Sequence, residues 1–119
     1  MRVFIADPSW TIRGKFIELL REIPNVQIVG EASIWGEVVA QLPELSYEVG
    51  IIDQDILKSP ATQSIQHLKR IQPQARVIIL SNVFTPEHEK AFKQAGADDV
   101  LDKSLDFSLL QALLTRKKD

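Results

Sequence analysis

The sequence predicts a doubly wound α/β domain in which a strand and a helix alternate five times. Three observations predict it. Short β-branched, apolar runs alternate with longer stretches of helical periodicity. Several of these runs are apolar on both faces, as strands buried inside a parallel sheet are. Acidic residues, Asp7 and Asp53, stand at the ends of the first and third runs, at the edge where such sheets hold ligands.

The elements follow in order. Val3–Ala6 reads as the first strand, and a helix from about Ser9 to Arg21 puts Ile12, Phe16, Leu19, Leu20 and Ile23 on one stripe. Pro24-Asn25 stops it. Val26–Glu31 is the second strand, and a helix over Ile34–Leu42 presents Val38, Val39 and Leu42 before Pro43 ends it. Val49–Ile52 is the third strand. The third helix opens with Ser59 as cap and Pro60 at its first position, and carries Ile65, Leu68 and Ile71. Arg76–Leu80 is the fourth strand, followed by a helix from Thr85-Pro86 to Gly96, a good C-terminal cap. Asp99–Leu101 is the fifth strand, and the last helix follows Ser104 with Leu109, Leu110, Leu113 and Leu114. Right-handed crossovers then place helices on both faces.

Bulk properties narrow the function. A chain of 119 residues is expected to form a single domain over 1–119, without an internal linker or an effector domain. Its formal net charge of -2 is a poor footprint for nucleic acid, so no direct nucleic-acid binding is expected. The basic cluster Arg116-Lys117-Lys118 reads as a solvated helix end. No apolar run approaches the ~20 residues that cross a bilayer, and the N-terminus is no signal peptide. Cysteine is absent, which excludes disulfides and thiolate chemistry and makes a cytoplasmic location the expectation.

The strand ends carry the chemistry. Asp7-Pro8 follows the first strand, Asp53-Gln54-Asp55 the third, Ser81-Asn82 the fourth and Asp102-Lys103-Ser104 the fifth. Carboxylates gathered at one edge repel unless a cation joins them. A hard divalent ion such as Mg²⁺ is the natural partner.

Arg2-Val3-Phe4-Ile5-Ala6-Asp7, Gly50-Ile51-Ile52-Asp53, Val77-Ile78-Ile79-Leu80-Ser81, and Ala95-Gly96-Ala97-Asp98-Asp99 with Lys103 resemble the motifs of a two-component response-regulator receiver domain. The likeness spans all five units and is similar to receivers joined to helix-turn-helix output domains. It implies the flavodoxin-like (βα)5 fold of the chemotaxis regulators, a five-stranded parallel sheet in the order 2-1-3-4-5. It further implies that Asp53 accepts a phosphoryl group from a sensor histidine kinase or phosphotransfer protein in a phosphorelay, with Mg²⁺ neutralising the transferring oxygens. Asp7 and Asp53, with the backbone carbonyl of Asp55, would hold the ion. Lys103 would pair with Asp53 and then with the phosphoryl group, and Ser81 would move to hydrogen-bond it. Such a domain is no enzyme in the ordinary sense, although it catalyses its own phosphorylation and dephosphorylation. Its output, including homodimer formation, would use the fourth helix, fifth strand and fifth helix.

Four departures from that family's pattern stand out. Pro8 stands where a second acid and principal metal ligand is usual, so Mg²⁺ binding should weaken. Ile56-Leu57 replaces a Met-Pro pair. Val100 replaces an aromatic that swings on activation, and Ser104 replaces a proline after the lysine. The side chain of Asp55, by its spacing, offers a replacement third carboxylate. The rival reading is therefore a phosphorylation-independent pseudo-receiver, a protein–protein interaction module.

Blander readings stand beside these. Asp53 alone is a solvated strand-end acid, Lys103 a surface lysine, Ser81 a turn residue or cap, and Pro8 a residue leading into a helix. His67 and His88 read as surface residues, Trp35 as helix-start packing, and Asp98-Asp99 as a turn. A flavodoxin-like cofactor site needs a Ser/Thr/Gly-rich loop after the first strand, and neither this nor a G-x-G-x-x-G motif is present.

Overall fold

In the computed structural model, which describes residues 1–103 and 107–115, strands and helices alternate as predicted. The strands are β1 (Arg2–Ala6), β2 (Gln27–Ala32), β3 (Val49–Asp53), β4 (Arg76–Ser81) and β5 (Asp99–Asp102). The helices are α1 (Trp10–Arg21), α2 (Trp35–Gln41), α3 (Ala61–Ile71), α4 (Pro86–Ala95) and α5 (Phe107–Thr115), with 3-10 turns at Leu42–Glu44 and Gln54–Ile56. All neighbouring strands pair in parallel in the order β2-β1-β3-β4-β5. Ser104 and Arg116-Lys117-Lys118 lie outside the described residues.

Alternation along the buried strands splits the interior into two cores. Phe4, Ala6, Ile52, Val77, Ile79 and Val100 face Val38 of α2, Ile65 and Leu68 of α3 and Phe92 of α4. Val3, Ile5, Ile51, Ile78 and Leu80 face Ile17 and Leu20 of α1 and Leu110 and Leu114 of α5. Period-two strands under period-3.6 helices on both sides require central strands that are apolar throughout. The sequence-level argument for a parallel sheet rests on that same feature.

Two local expectations are corrected. The buried face of α1 is Arg13, Ile17 and Leu20, whereas Ile12 is exposed and Phe16 and Leu19 are half-buried. The helix is turned because Arg13 belongs inside, where its guanidinium has partners. The third helix begins at Ala61, with Pro60 itself the extended cap residue (ψ 137°) after a cis peptide bond, and without a side-chain cap. As expected, α2 stops before Pro43, which lies in the separate 3-10 turn that follows.

Other ends follow expectation. Ser9 accepts from Ile12 N at the start of α1, and Thr85 accepts from His88 N at the start of α4. Asn25 adopts φ 69°, a left-handed turn that asparagine tolerates. Gly96 closes α4 at φ 124°, where a Cβ would stand 2.8 Å from Lys69 Cγ. Only glycine meets both demands there.

Strand order reverses between β1 and β3, so the crevice at their carboxyl ends receives Asp7 and Asp53. Among the described residues, no helix is long and apolar enough to cross a membrane.

Candidate functional site

Asp7 leaves β1 in a tight turn built by its own carboxylate. Its backbone N–H donates to Ala32 O at 3.0 Å, and its Oδ1 accepts from Ser9 N at 2.8 Å. Pro8 is the exposed middle of this turn and offers no ligand. The turn aims the second oxygen, Oδ2, inward: Asp7 is only 1% exposed, and this oxygen has no hydrogen bond.

Asp53 is the last residue of β3 and equally buried at 1% exposure. Its Oδ1 accepts from Asp55 N at 2.7 Å, capping the 3-10 turn that follows. Its Oδ2 accepts a hydrogen bond from Lys103 Nζ. Lys103 is placed by backbone, its N–H donating to Ser81 O at 2.8 Å. From there its ammonium also lies 2.8 Å from Asp7 Oδ2. That contact is an ion pair.

The electrostatics follow from two buried carboxylates sharing one cation. Burial pushes the Asp53 carboxyl above its ordinary value, with a smaller push from Asp7, against the opposing hydrogen bonds from Lys103 and Asp55. Burial pulls the Lys103 ammonium down, but its bonds to Asp53 and Asp7 more than offset this and hold it above the usual lysine value. The lysine is therefore a fixed positive charge at neutral pH.

The donor set fits a hard cation. Asp7 Oδ2, buried without a hydrogen bond, and Asp53 Oδ2 both converge on the position of a positive charge, as oxygen ligands of Mg²⁺ do. The side chain of Asp55 points outward from this pair in its present position. It is exposed, and among the described residues no three acidic or histidine side chains gather closely enough to hold a metal ion.

Ser81 is wholly buried (0% exposed), and its hydroxyl finds its partners in two neighbouring loops. It accepts from Val83 N at 3.1 Å and donates to Gln54 Oε1. Val100 is buried in the core under α4. The topology thus brings Asp7, Asp53 and Lys103 together, with Ser81 adjoining through the backbone of Lys103.

Two site residues escaped the sequence reading. Arg13 is buried, with its Nη1 donating to Asp7 O at 2.7 Å and its Nε pairing with Glu31 at 2.8 Å. An arginine within the apolar helical face was the available signal. Gln54, beside Asp53, had none beyond adjacency. The remaining candidates are structural. His67 is exposed and stacks edge-on against half-buried Trp35 at 6.0 Å, and exposed His88 pairs with Thr85. Asp98 accepts from Val77 N at 2.8 Å and pairs with Lys69 at 3.0 Å, pinning the turn before β5.

Comparison with known proteins places this geometry in context. The family model described as "Response regulator receiver domain" matches residues 3–115. The DNA-binding transcriptional activator DevR/DosR of Mycobacterium tuberculosis is 25% identical over 88% of this chain and 48% of its own length. A protein-glutamate methylesterase/protein-glutamine glutaminase of Leptospira interrogans is 30% identical over 87% of this chain and 30% of its own length. The chain thus spans about half or less of these relatives, and the activities in their names belong to them as whole proteins. Among solved structures, the isolated REC domain of RcsB from Salmonella enterica serovar Typhimurium, determined in the presence of phosphomimetic BeF3-, is 25% identical. It superposes at TM-score 0.84 over 100% of this chain and 91% of that one. With its fold, strand order and full-length family match, this chain belongs to the response regulator receiver domains of two-component signalling.

Proposed function

We propose that this receiver accepts a phosphoryl group on Asp53 from the phosphohistidine of a sensor kinase or phosphotransfer protein. The observation that carries the proposal is the buried Asp53 carboxylate held between Asp55 N–H and the Lys103 ammonium, with Asp7 facing the same point.

An oxygen of Asp53 attacks phosphorus in line. The P–N bond to the donor imidazole breaks as the new P–O bond forms, and the imidazole leaves with the electron pair and takes up a proton. Lys103 follows the charge, passing from the carboxylate to the transferring phosphoryl oxygens, which positioning and electrostatics stabilise. Asp7 Oδ2, Asp53 and the Asp55 carbonyl would hold Mg²⁺, which when bound supplies positive charge to those oxygens. Arg13 donates to the Asp7 carbonyl and so holds the backbone that carries this carboxylate. The surface of α4, β5 and α5 is the proposed output and homodimer surface.

A second reading, an interaction module that works without phosphorylation, is favoured by two features. Lys103 already neutralises part of both carboxylates, and Pro8 adds no ligand. Incubation with acetyl phosphate and Mg²⁺, followed by intact-mass measurement, separates the two. A gain of one phosphoryl group by the parent protein, absent from Asp53→Asn, supports the acceptor reading. No gain, together with no response to beryllofluoride, supports the module.

A further inference from the structure

We infer that Gln54 is a positioning residue that holds the Ser81 hydroxyl away from Asp53 and so opposes the switch to the phosphorylated conformation. This rests on the phosphoryl-acceptor reading above.

Ser81 is fully buried at the end of β4, where a hydroxyl must find partners within the protein. Its oxygen is engaged by Val83 N–H at 3.1 Å. The hydroxyl proton therefore points elsewhere, and its hydrogen-bond acceptor is Gln54 Oε1. The resting chain thus satisfies every polar atom of Ser81 without the acceptor carboxylate.

For Ser81 to reach a phosphoryl oxygen on Asp53, its proton must leave Gln54, and the Val83 N–H bond shifts with the oxygen. Val83, 58% exposed, and its exposed neighbour Phe84 follow at the surface. The link Gln54–Ser81–Val83 joins the loop after Asp53 to the loop before α4, and Gln54 is its resting stop. Replacing Gln54 by a side chain of similar length whose thioether is only a weak acceptor, Gln54→Met, removes the stop and leaves the hydroxyl free for a phosphoryl oxygen.

Two measurements on the whole chain test this. Three-bond scalar couplings of unmodified protein report the Ser81 χ1 rotamer, expected single in the parent and averaged in Gln54→Met. Titration with beryllofluoride and Mg²⁺ is expected to show roughly five- to tenfold tighter binding by Gln54→Met, the worth of one hydrogen bond. That gain should vanish when Gln54→Met is compared within Ser81→Ala, as only an interaction between the two residues allows. Equal affinity of parent and Gln54→Met, or a gain that persists within Ser81→Ala, overturns the role of Gln54 and leaves the acceptor reading standing. No beryllofluoride binding by any variant, with the rotamer change present, overturns the acceptor reading and the gate with it.

Discussion

Lys103 Nζ stands 2.8 Å from Asp7 Oδ2 while donating to Asp53, so one ammonium from the end of β5 ties together the ends of β1 and β3. The two carboxylates are buried and the cation is their only shared counter-charge among the described residues. Removing it leaves both carboxylates uncompensated. Lys103→Met is predicted to lower stability by about 3 kcal/mol at pH 7, read by urea denaturation. Unchanged stability would show that the pair is dispensable to the fold.

Asp53→Asn is predicted to act in the opposite direction, raising stability by roughly 1 kcal/mol at pH 7 as other relieved functional sites do. The sign comes from linkage. Asp53 is raised in the folded state from its ordinary 3.8, so its proton is held more tightly when folded. Its contribution is most favourable below that ordinary value and is lost as pH rises through the folded value. Asparagine removes this loss and flattens that acidic part of the stability profile. Lys103, raised from 10.5, contributes stability that persists below 10.5 and is lost only as pH rises through its higher folded value. Thermal melts from pH 3 to pH 11 on both proteins check each window.

Arg13 and Glu31 are paired, yet their substitutions are predicted to differ. Glu31 is 53% exposed in its side chain, so its half of the bridge is screened, and Glu31→Gln should cost under about 1 kcal/mol. Arg13 also serves the buried carbonyl of Asp7, and Arg13→Met should cost about 2 kcal/mol by leaving that acceptor unmet. Parallel urea curves decide the order.

Gly96→Ala places a Cβ against Lys69 Cγ at a left-handed φ of 124°. Lys69 also bonds Ala75 O at 2.7 Å and Asp98 at 3.0 Å, so it cannot simply swing aside without losing those partners. A loss of about 2 kcal/mol is predicted, measured by thermal melting, with Lys69→Ala partly relieving it.

Much of this was legible in the residues, for identifiable reasons. Central strands such as Gly50-Ile51-Ile52 and Val77–Leu80 are apolar on both faces, which announces a parallel sheet, and the topology then converges Asp7, Asp53 and Lys103. The face of α1 was misread because Arg13 counts as polar in a periodicity, although its guanidinium is satisfied inside. The start of α3 was misplaced because Pro60 lies extended before the helix rather than within it. Gln54 and Ser81, 27 residues apart, meet only through two loop geometries, which no local pattern encodes.

The loss of a second acid at Pro8 makes metal dependence the sharpest question. Mg²⁺ at millimolar concentration is predicted to raise the melting temperature of the parent by mass action. It should fail to do so for Asp7→Asn, with Trp10 fluorescence as a second reporter beside the pocket. Trp10 is 82% exposed, with Arg13 5.6 Å over its ring, so it senses the turn that carries Asp7.

The most direct measurement is the yield of phosphorylated Asp53 from acetyl phosphate as a function of Mg²⁺, located by peptide mass mapping. The account predicts an adduct on the peptide containing Asp53 that grows with Mg²⁺ into the millimolar range and disappears with a chelator. An absent adduct at every Mg²⁺ concentration, or the same yield in chelator, would contradict it.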